Sequence, residues 1–292
     1  MLLGYLALPI SLSAQLSLAL VALAIMAGLQ LVGPRAWSRQ FFIAIVSTII
    51  VKYLIWRVTS TLPPFDQIVD FIAAVVLFTA EIYSIALLYM TMFVVIDPLE
   101  RKNVPLDETY RPSVDVFVPT FDESVDLVAH TLAAAKAMDY DADRLTVWLL
   151  DDGGTTQKIT QNDDAAREAA RERRADLMEL CNRLDVRYLA RERNEMAKAG
   201  NLNYGLSQAC GELVVVLDAD HAPRRNFLRE TVGHFSEDER LFLVQTPHAF
   251  LNDDPIERNL SAPEAMPAEH QMFYKSIQKG LDSWNSAYFC GS

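Results

Sequence analysis

The chain has 292 residues, 51% of them hydrophobic, and a formal net charge of −12. Roughly 100 to 200 residues make a domain, so this length allows one full domain and a further element. The acidic balance excludes a protein that gathers nucleic acid by charge, and Cys181, Cys210 and Cys290 show neither metal-ligand spacing nor a paired framework, so free thiols are expected.

Residues 1–100 carry only Arg35, Arg39, Lys52 and Arg57 as bases and Asp66, Asp70, Glu81, Asp97 and Glu100 as acids. Nearly all of the negative charge therefore follows residue 100. Three apolar runs, about 12–32, 41–58 and 68–96, reach the roughly 20 residues that a hydrocarbon core requires. The first lacks a basic start and a clear cleavage site, so it reads as a retained helix rather than a signal peptide. Arg35 and Arg39 mark the first loop as cytoplasmic, the Pro63-Pro64 loop holds no base, and Arg101 and Lys102 follow the third run. The order puts the amino terminus outside and everything after residue 100 in the cytoplasm. Lys52 and Arg57 stand near the outer end of the second span, where snorkelling to the headgroups is expected. Glu81 lies mid-span, and a carboxylate at that depth is expected to face protein or a cavity.

From Val114 the pattern changes to short strands alternating with helices, which predicts an α/β domain with a mostly parallel sheet. Strands are predicted at Val114–Val118, Leu145–Leu150, Val186–Leu189, Glu212–Leu217 and Leu241–Gln245. The clearest helix is Asn162–Leu184, opened by acidic capping residues, with Leu177, Leu180, Cys181 and Leu184 on one face. A second stripe, Phe273, Ile277, Leu281, Trp284 and Tyr288, suits either the membrane face or the domain core.

Three acidic clusters end strands on one edge: Thr120-Phe121-Asp122-Glu123, Asp151-Asp152-Gly153-Gly154 and Asp218-Ala219-Asp220. Ligands of open α/β sheets bind at that carboxyl edge. Asp218 and Asp220 share a side and can hold one hard divalent cation, which would neutralise a diphosphate. Lys198-Ala199-Gly200-Asn201 opens the helix before the fourth strand, where its ammonium and backbone N–H groups can face an anion. His221 and His248 read as structural hydrogen bonders beside that loop.

Asp151-Asp152-Gly153-Gly154, Lys198-Ala199-Gly200-Asn201-Leu202-Asn203, Asp218-Ala219-Asp220-His221, Gln245-Thr246-Pro247-His248 and Phe289-Cys290-Gly291-Ser292 match, in order, motifs of a known family. The chain resembles the bacterial cellulose synthase catalytic subunits, processive, inverting, membrane-embedded enzymes of glycosyltransferase family 2. Lys52-Tyr53-Leu54-Ile55-Trp56-Arg57 through Thr61-Leu62-Pro63 extends the likeness into the spans. The resemblance implies a GT-A fold at 101–292 behind a transmembrane region at 1–100. It implies transfer of glucose from UDP-glucose to the non-reducing end of a β-1,4-glucan, coupled to export.

Residue by residue, the resemblance implies that Thr120 and Glu123 contact the uridine and Asp151 lies in the nucleotide pocket. Lys198 is then near the diphosphate, Asp218 and Asp220 hold Mg²⁺ or Mn²⁺, and Phe289, Cys290 and Gly291 border the acceptor. It also implies a bacterial inner-membrane location, a growing glucan chain as substrate, and a periplasmic partner subunit.

Phe121-Asp122 departs from the family's Tyr-Asn, so a phenolic hydroxyl and an amide are missing, although Phe121 can still stack on a base. The family's Thr-Glu-Asp general base, Gln-X-X-Arg-Trp acceptor clamp and cyclic-di-GMP-sensing PilZ domain are expected beyond Ser292. The resemblance also leads one further amino-terminal span to be expected before the first of these runs. The expectation is a chain that binds UDP-sugar and metal but polymerises little by itself. Other processive UDP-sugar synthases, of the hyaluronan, chitin or β-1,3-glucan type, remain open, as does a non-catalytic nucleotide-binding remnant. A transporter is poorly supported, since paired intramembrane charges and an inverted repeat are not legible in the sequence.

Overall fold

Three long helices form where the apolar runs predict them, each ending at a turn rich in polar residues, Gly or Pro. The computed structural model describes residues 11–33, 35–107, 109–251, 255–260 and 273–286. Its contacts divide the chain into two units, one drawn from Met1–Glu100 and Ala249–Tyr288, the other from Arg101–His248.

In the first unit, α1 (Leu12–Val32), α2 (Ala36–Ser60) and α3 (Ile68–Val95) contain 21, 25 and 28 residues. At about 1.5 Å per residue each exceeds the roughly 30 Å of a hydrocarbon core, so all three are long and apolar enough to cross a membrane. Leu20, Val76 and Met90 are exposed, as lipid-facing side chains would be.

The ionisable residues of these helices correct one expectation. Arg57 does not extend away from protein; its Nε donates to Glu81 Oε2 at 2.8 Å, and its Nη1 donates to the Thr61 hydroxyl. Glu81 thus faces protein, as a mid-span carboxylate should.

The aromatic stripe lies in this unit too, as a π-helical turn, Phe273–Gln278, continued by Lys279–Asp282. Trp284 stacks on Phe93 with ring centroids 4.7 Å apart, and the Leu99 N–H donates to Ser283 Oγ at 3.0 Å. Gly280 sits so close to the Val94 carbonyl that a Cβ there would collide with it. The stripe therefore covers the end of α3 rather than the core of the second unit. Tyr288 lies outside the described residues.

In the second unit four parallel strands alternate with helices: β1 (Val114–Thr120), α4 (Val125–Lys136), β2 (Leu145–Asp151), α5 (Thr156–Ile159), α6 (Asp164–Leu184), β3 (Arg187–Leu189), α7 (Ala197–Gln208) and β4 (Leu213–Val216). The sheet order is β3-β2-β1-β4. β1 and β2 are central and covered on both faces, which explains their almost unbroken apolar sequence. Leu132, Leu149 and Leu177 are fully buried, each contributing about 1.5–3 kcal/mol from the water it sheds. Helix α6 starts where Asp163 accepts the Ala166 N–H at 3.0 Å, and its Leu177, Leu180 and Cys181 enter the core. Burial, aided by the Asp151 charge, pushes the Cys181 thiol up to about 12, so it behaves as a small apolar side chain.

The fifth predicted strand is not formed. Leu241–Gln245 joins no ladder among the described residues, and Phe242 is 88% exposed. An apolar run becomes a strand only when a neighbouring strand supplies hydrogen bonds, and apolarity alone does not specify that neighbour.

Candidate active site

The parallel register sets the site. Thr120 at the end of β1 pairs with Asp151 at the end of β2, and β4 leads directly into Leu217-Asp218-Ala219-Asp220. All three acidic clusters thus share the carboxyl edge. Thr120, Phe121, Glu123, Asp152, Lys198, Asn201, Asp218 and Asp220 line one open cleft of about 440 Å³.

The β1 loop is organised around Glu123. Its Oε2 accepts the Thr120 hydroxyl at 2.8 Å and the Phe121 N–H at 2.7 Å. Burial alone would raise the carboxyl's pKa, but these bonds and the Arg173 charge outweigh it and hold the group below its ordinary range. Lys158 lies over the Phe121 ring, 4.8 Å from its centroid.

Asp151 is fully buried and does not line the cleft. It accepts from Arg173 Nη1 at 2.9 Å, the Tyr188 hydroxyl at 2.6 Å and the Gly153 N–H at 3.0 Å. Burial and the Asp151 charge push the Tyr188 phenol far above its usual range, so it stays a donor. The two glycines are required by close approach: a Cβ on Gly153 would strike the Phe121 carbonyl, and one on Gly154 would strike the Asp151 carboxylate.

Asp152 does line the cleft, and both its oxygens are held by Arg191. Arg191 also donates to the Glu195 carbonyl at 2.6 Å and the Ala197 carbonyl at 2.9 Å. Met196 and Ala197 both have positive φ, 59° and 45°, a conformation that costs a non-glycine residue about 1–3 kcal/mol. Arg191 offsets that strain at the turn that presents Lys198. The Lys198 ammonium pairs with Asp218, and Asn201 Nδ2 donates to the Leu150 carbonyl at 2.9 Å.

Asp218, Asp220 and His221 each offer a ligand atom, all within 4.8 Å of one another. Two carboxylates and one imidazole suit a divalent cation, and the ammonium of Lys198 already answers the negative charge of Asp218. His221 is therefore a candidate ligand as well as a hydrogen bonder. The Gln245-Thr246-Pro247-His248 motif reaches the same loop, with the His248 and His221 rings 4.3 Å apart between centroids. Burial and the neighbouring His221 hold the His248 imidazole below its ordinary pKa.

Phe289, Cys290 and Gly291 lie outside the described residues. Arg173, Tyr188 and Arg191 were not singled out from the sequence. Arg191 alone had a positional signal, since it closely follows β3 at the ligand-binding edge.

The family model described as Glycosyl transferase family 2 matches residues 115–292, from β1 through every one of these clusters. The chain belongs to glycosyl transferase family 2. Its parallel α/β sheet is the GT-A-like arrangement of that family. The chain is 40% identical over 243 residues to the cellulose synthase catalytic subunit [UDP-forming] of Xanthomonas axonopodis pv. citri (strain 306), covering 82% of this chain and 31% of that protein. It is 37% identical over 295 residues to the cellulose synthase catalytic subunit [UDP-forming] of Pseudomonas fluorescens (strain SBW25), covering 100% of this chain and 37% of that one. This family member thus spans about a third of the length of those relatives. Among solved structures it is similar to a mannosyltransferase from Pyrobaculum calidifontis in complex with GDP-Man and Mn²⁺. That likeness is 29% identity with a TM-score of 0.37, over 55% of this chain and 43% of the other.

Proposed function

We propose that this chain carries the donor-binding part of a cellulose-synthase-type glucosyltransferase, taking UDP-glucose as donor and a β-1,4-glucan end as acceptor. The observation that carries the reading is the convergence in one cleft of the Thr120–Glu123 loop, Lys198 and the Asp218–Asp220 carboxylates. Base, diphosphate and metal need such a sequence of surfaces.

In this reading Thr120 and Glu123 receive the uridine, with Phe121 offering its ring to the base. Asp151 serves from beneath the cleft, holding that loop in place. Lys198 turns its ammonium to the diphosphate, and Asp218 and Asp220 hold Mg²⁺, with His221 as a further ligand. When bound, the metal neutralises the charge that develops on the leaving diphosphate. The acceptor hydroxyl oxygen forms a bond to the anomeric carbon as the bond from that carbon to the diphosphate oxygen breaks, with inversion, and the hydroxyl proton passes to a general base supplied from outside the donor-binding cleft. Lys198, already beside Asp218, stabilises the departing oxygen without rearrangement of the turn that Arg191 fixes.

In this reading the chain lies in the inner membrane of a bacterium, supported by three helices long and apolar enough to cross it, and the catalytic unit is cytoplasmic, supported by Arg35 and Arg39 after the first of those helices and Arg101 and Lys102 after the third. Export of the glucan and a periplasmic partner subunit belong to the same proposal, supported by the likeness to cellulose synthase catalytic subunits.

Competition binding tests the sugar. UDP-glucose should displace a fluorescent UDP analogue at lower concentration than UDP-N-acetylglucosamine or UDP-glucuronate do. Tighter displacement by either competitor would move the assignment to a chitin-type or hyaluronan-type synthase.

A further inference from the structure

Arg173 is the residue through which the buried Asp151 reaches the cleft. It rises from α6, outside every strand-end motif, and spends each nitrogen on a different acceptor. Nη1 donates to Asp151 Oδ1 at 2.9 Å, Nη2 to Thr120 Oγ1 at 2.8 Å, and Nε to the Glu123 carbonyl at 3.2 Å. The Thr120 hydroxyl in turn donates to Glu123 Oε2, which also takes the Phe121 N–H. One guanidinium therefore fixes the hydroxyl, the backbone and, through the hydroxyl, the carboxylate of the loop that ends β1. Its own position is set by Asp151, which has 0% exposure and is anchored on its other oxygen by Tyr188. The room for the fork is provided by Gly153, where a Cβ would meet Arg173 Nη1.

From this geometry we infer that Arg173 is a positioning residue for base recognition, setting the Glu123 carboxylate to accept the imide N–H of a uracil ring and to disfavour cytosine. The inference rests on the nucleotide reading above. Uracil presents an N–H donor at ring position 3, where cytosine presents a lone pair; cytosine's amino group is a donor displaced from that point. A carboxylate held in one place distinguishes the two, whereas a mobile one can shift to the amino group and accept either base. A lysine would keep the charge of Arg173 but could not span three acceptors from one planar fork.

The test compares UDP and CDP binding, with Mg²⁺ present, to the full 292-residue chain in detergent and to its Arg173→Ala and Arg173→Lys variants, each checked by thermal melting. The wild type should favour UDP. Arg173→Ala should lose about tenfold in UDP affinity and bring the UDP/CDP ratio toward one, and Arg173→Lys should melt like the wild type with an intermediate ratio. A folded variant with the wild-type ratio, whether both affinities are kept or both fall equally, would overturn the inference by reducing Arg173 to a structural staple. If Arg173→Ala does not fold, the ratio of Arg173→Lys decides in the same way. A folded wild type that binds neither nucleotide would overturn the nucleotide reading and the inference with it, an outcome distinct from failure of the variants alone.

Discussion

Arg191 grips Asp152 through two parallel hydrogen bonds, Nε to Oδ1 at 2.7 Å and Nη2 to Oδ2 at 2.8 Å, with both side chains buried. Removing one partner of such a pair leaves the other charge buried alone. Arg191→Ala should cost about 3–5 kcal/mol of stability, read from the melting transition of the second unit. It should also weaken UDP binding, because the positive-φ turn at Met196 and Ala197 loses its clamp. Unchanged melting would show that the pair is dispensable.

Gly153 has no space for a side chain. Gly153→Ala would drive a Cβ into the Phe121 carbonyl and the Arg173 guanidinium, so the β1 loop must shift. Overpacking of this kind costs about 1–3 kcal/mol, and here the loop that moves is the one expected to hold the base. The expected result is a lower melting temperature together with weaker UDP binding.

Glu123 gives the site an acid limb. Its folded pKa lies below its ordinary value of 4.5, since the bonds from Phe121 and Thr120 outweigh burial. A depressed carboxyl stabilises the fold above its unfolded pKa, and that contribution disappears as pH falls through the lower folded value. Melting temperature should therefore decline between about pH 5 and pH 3 more steeply in the wild type than in Glu123→Gln. Parallel declines would remove Glu123 from the acid transition.

Arg57 and Glu81 tie α2 to α3. Glu81→Ala leaves the guanidinium without its carboxylate and should destabilise the helix pair. Exchange of the two residues, Arg57→Glu with Glu81→Arg, should restore part of that loss. A double-mutant cycle in detergent measures the coupling, and a value near zero would contradict the pairing.

Local pattern made the strand positions and the three spans legible, because period and apolar length are properties of neighbouring residues. Val114, Leu145 and Leu213 all begin strands close to where alternation with helices predicts them. Thr120, Glu123, Lys198, Asp218 and Asp220 could be placed on one edge for the same reason: each follows a strand or opens a helix. The interior role of Asp151 was not legible, since its partners Arg173 and Tyr188 are 22 and 37 residues away. Arg173 is one of several arginines along α6, and only tertiary packing distinguishes it. The same limit applies to Leu241–Gln245, whose composition suits a strand that the sheet does not accommodate. Arg57 looked like a headgroup residue until the register of α2 against α3 brought Glu81 to it.

Calorimetric titration of UDP into the detergent-solubilised chain, with and without Mg²⁺, tests the donor site most directly. The wild type should bind UDP with an affinity that rises on adding Mg²⁺, and the Asp218→Ala/Asp220→Ala variant should lose that rise while melting as the wild type does. Binding by a folded wild type that is absent, or indifferent to Mg²⁺, would contradict the assignment of this cleft to a nucleotide sugar.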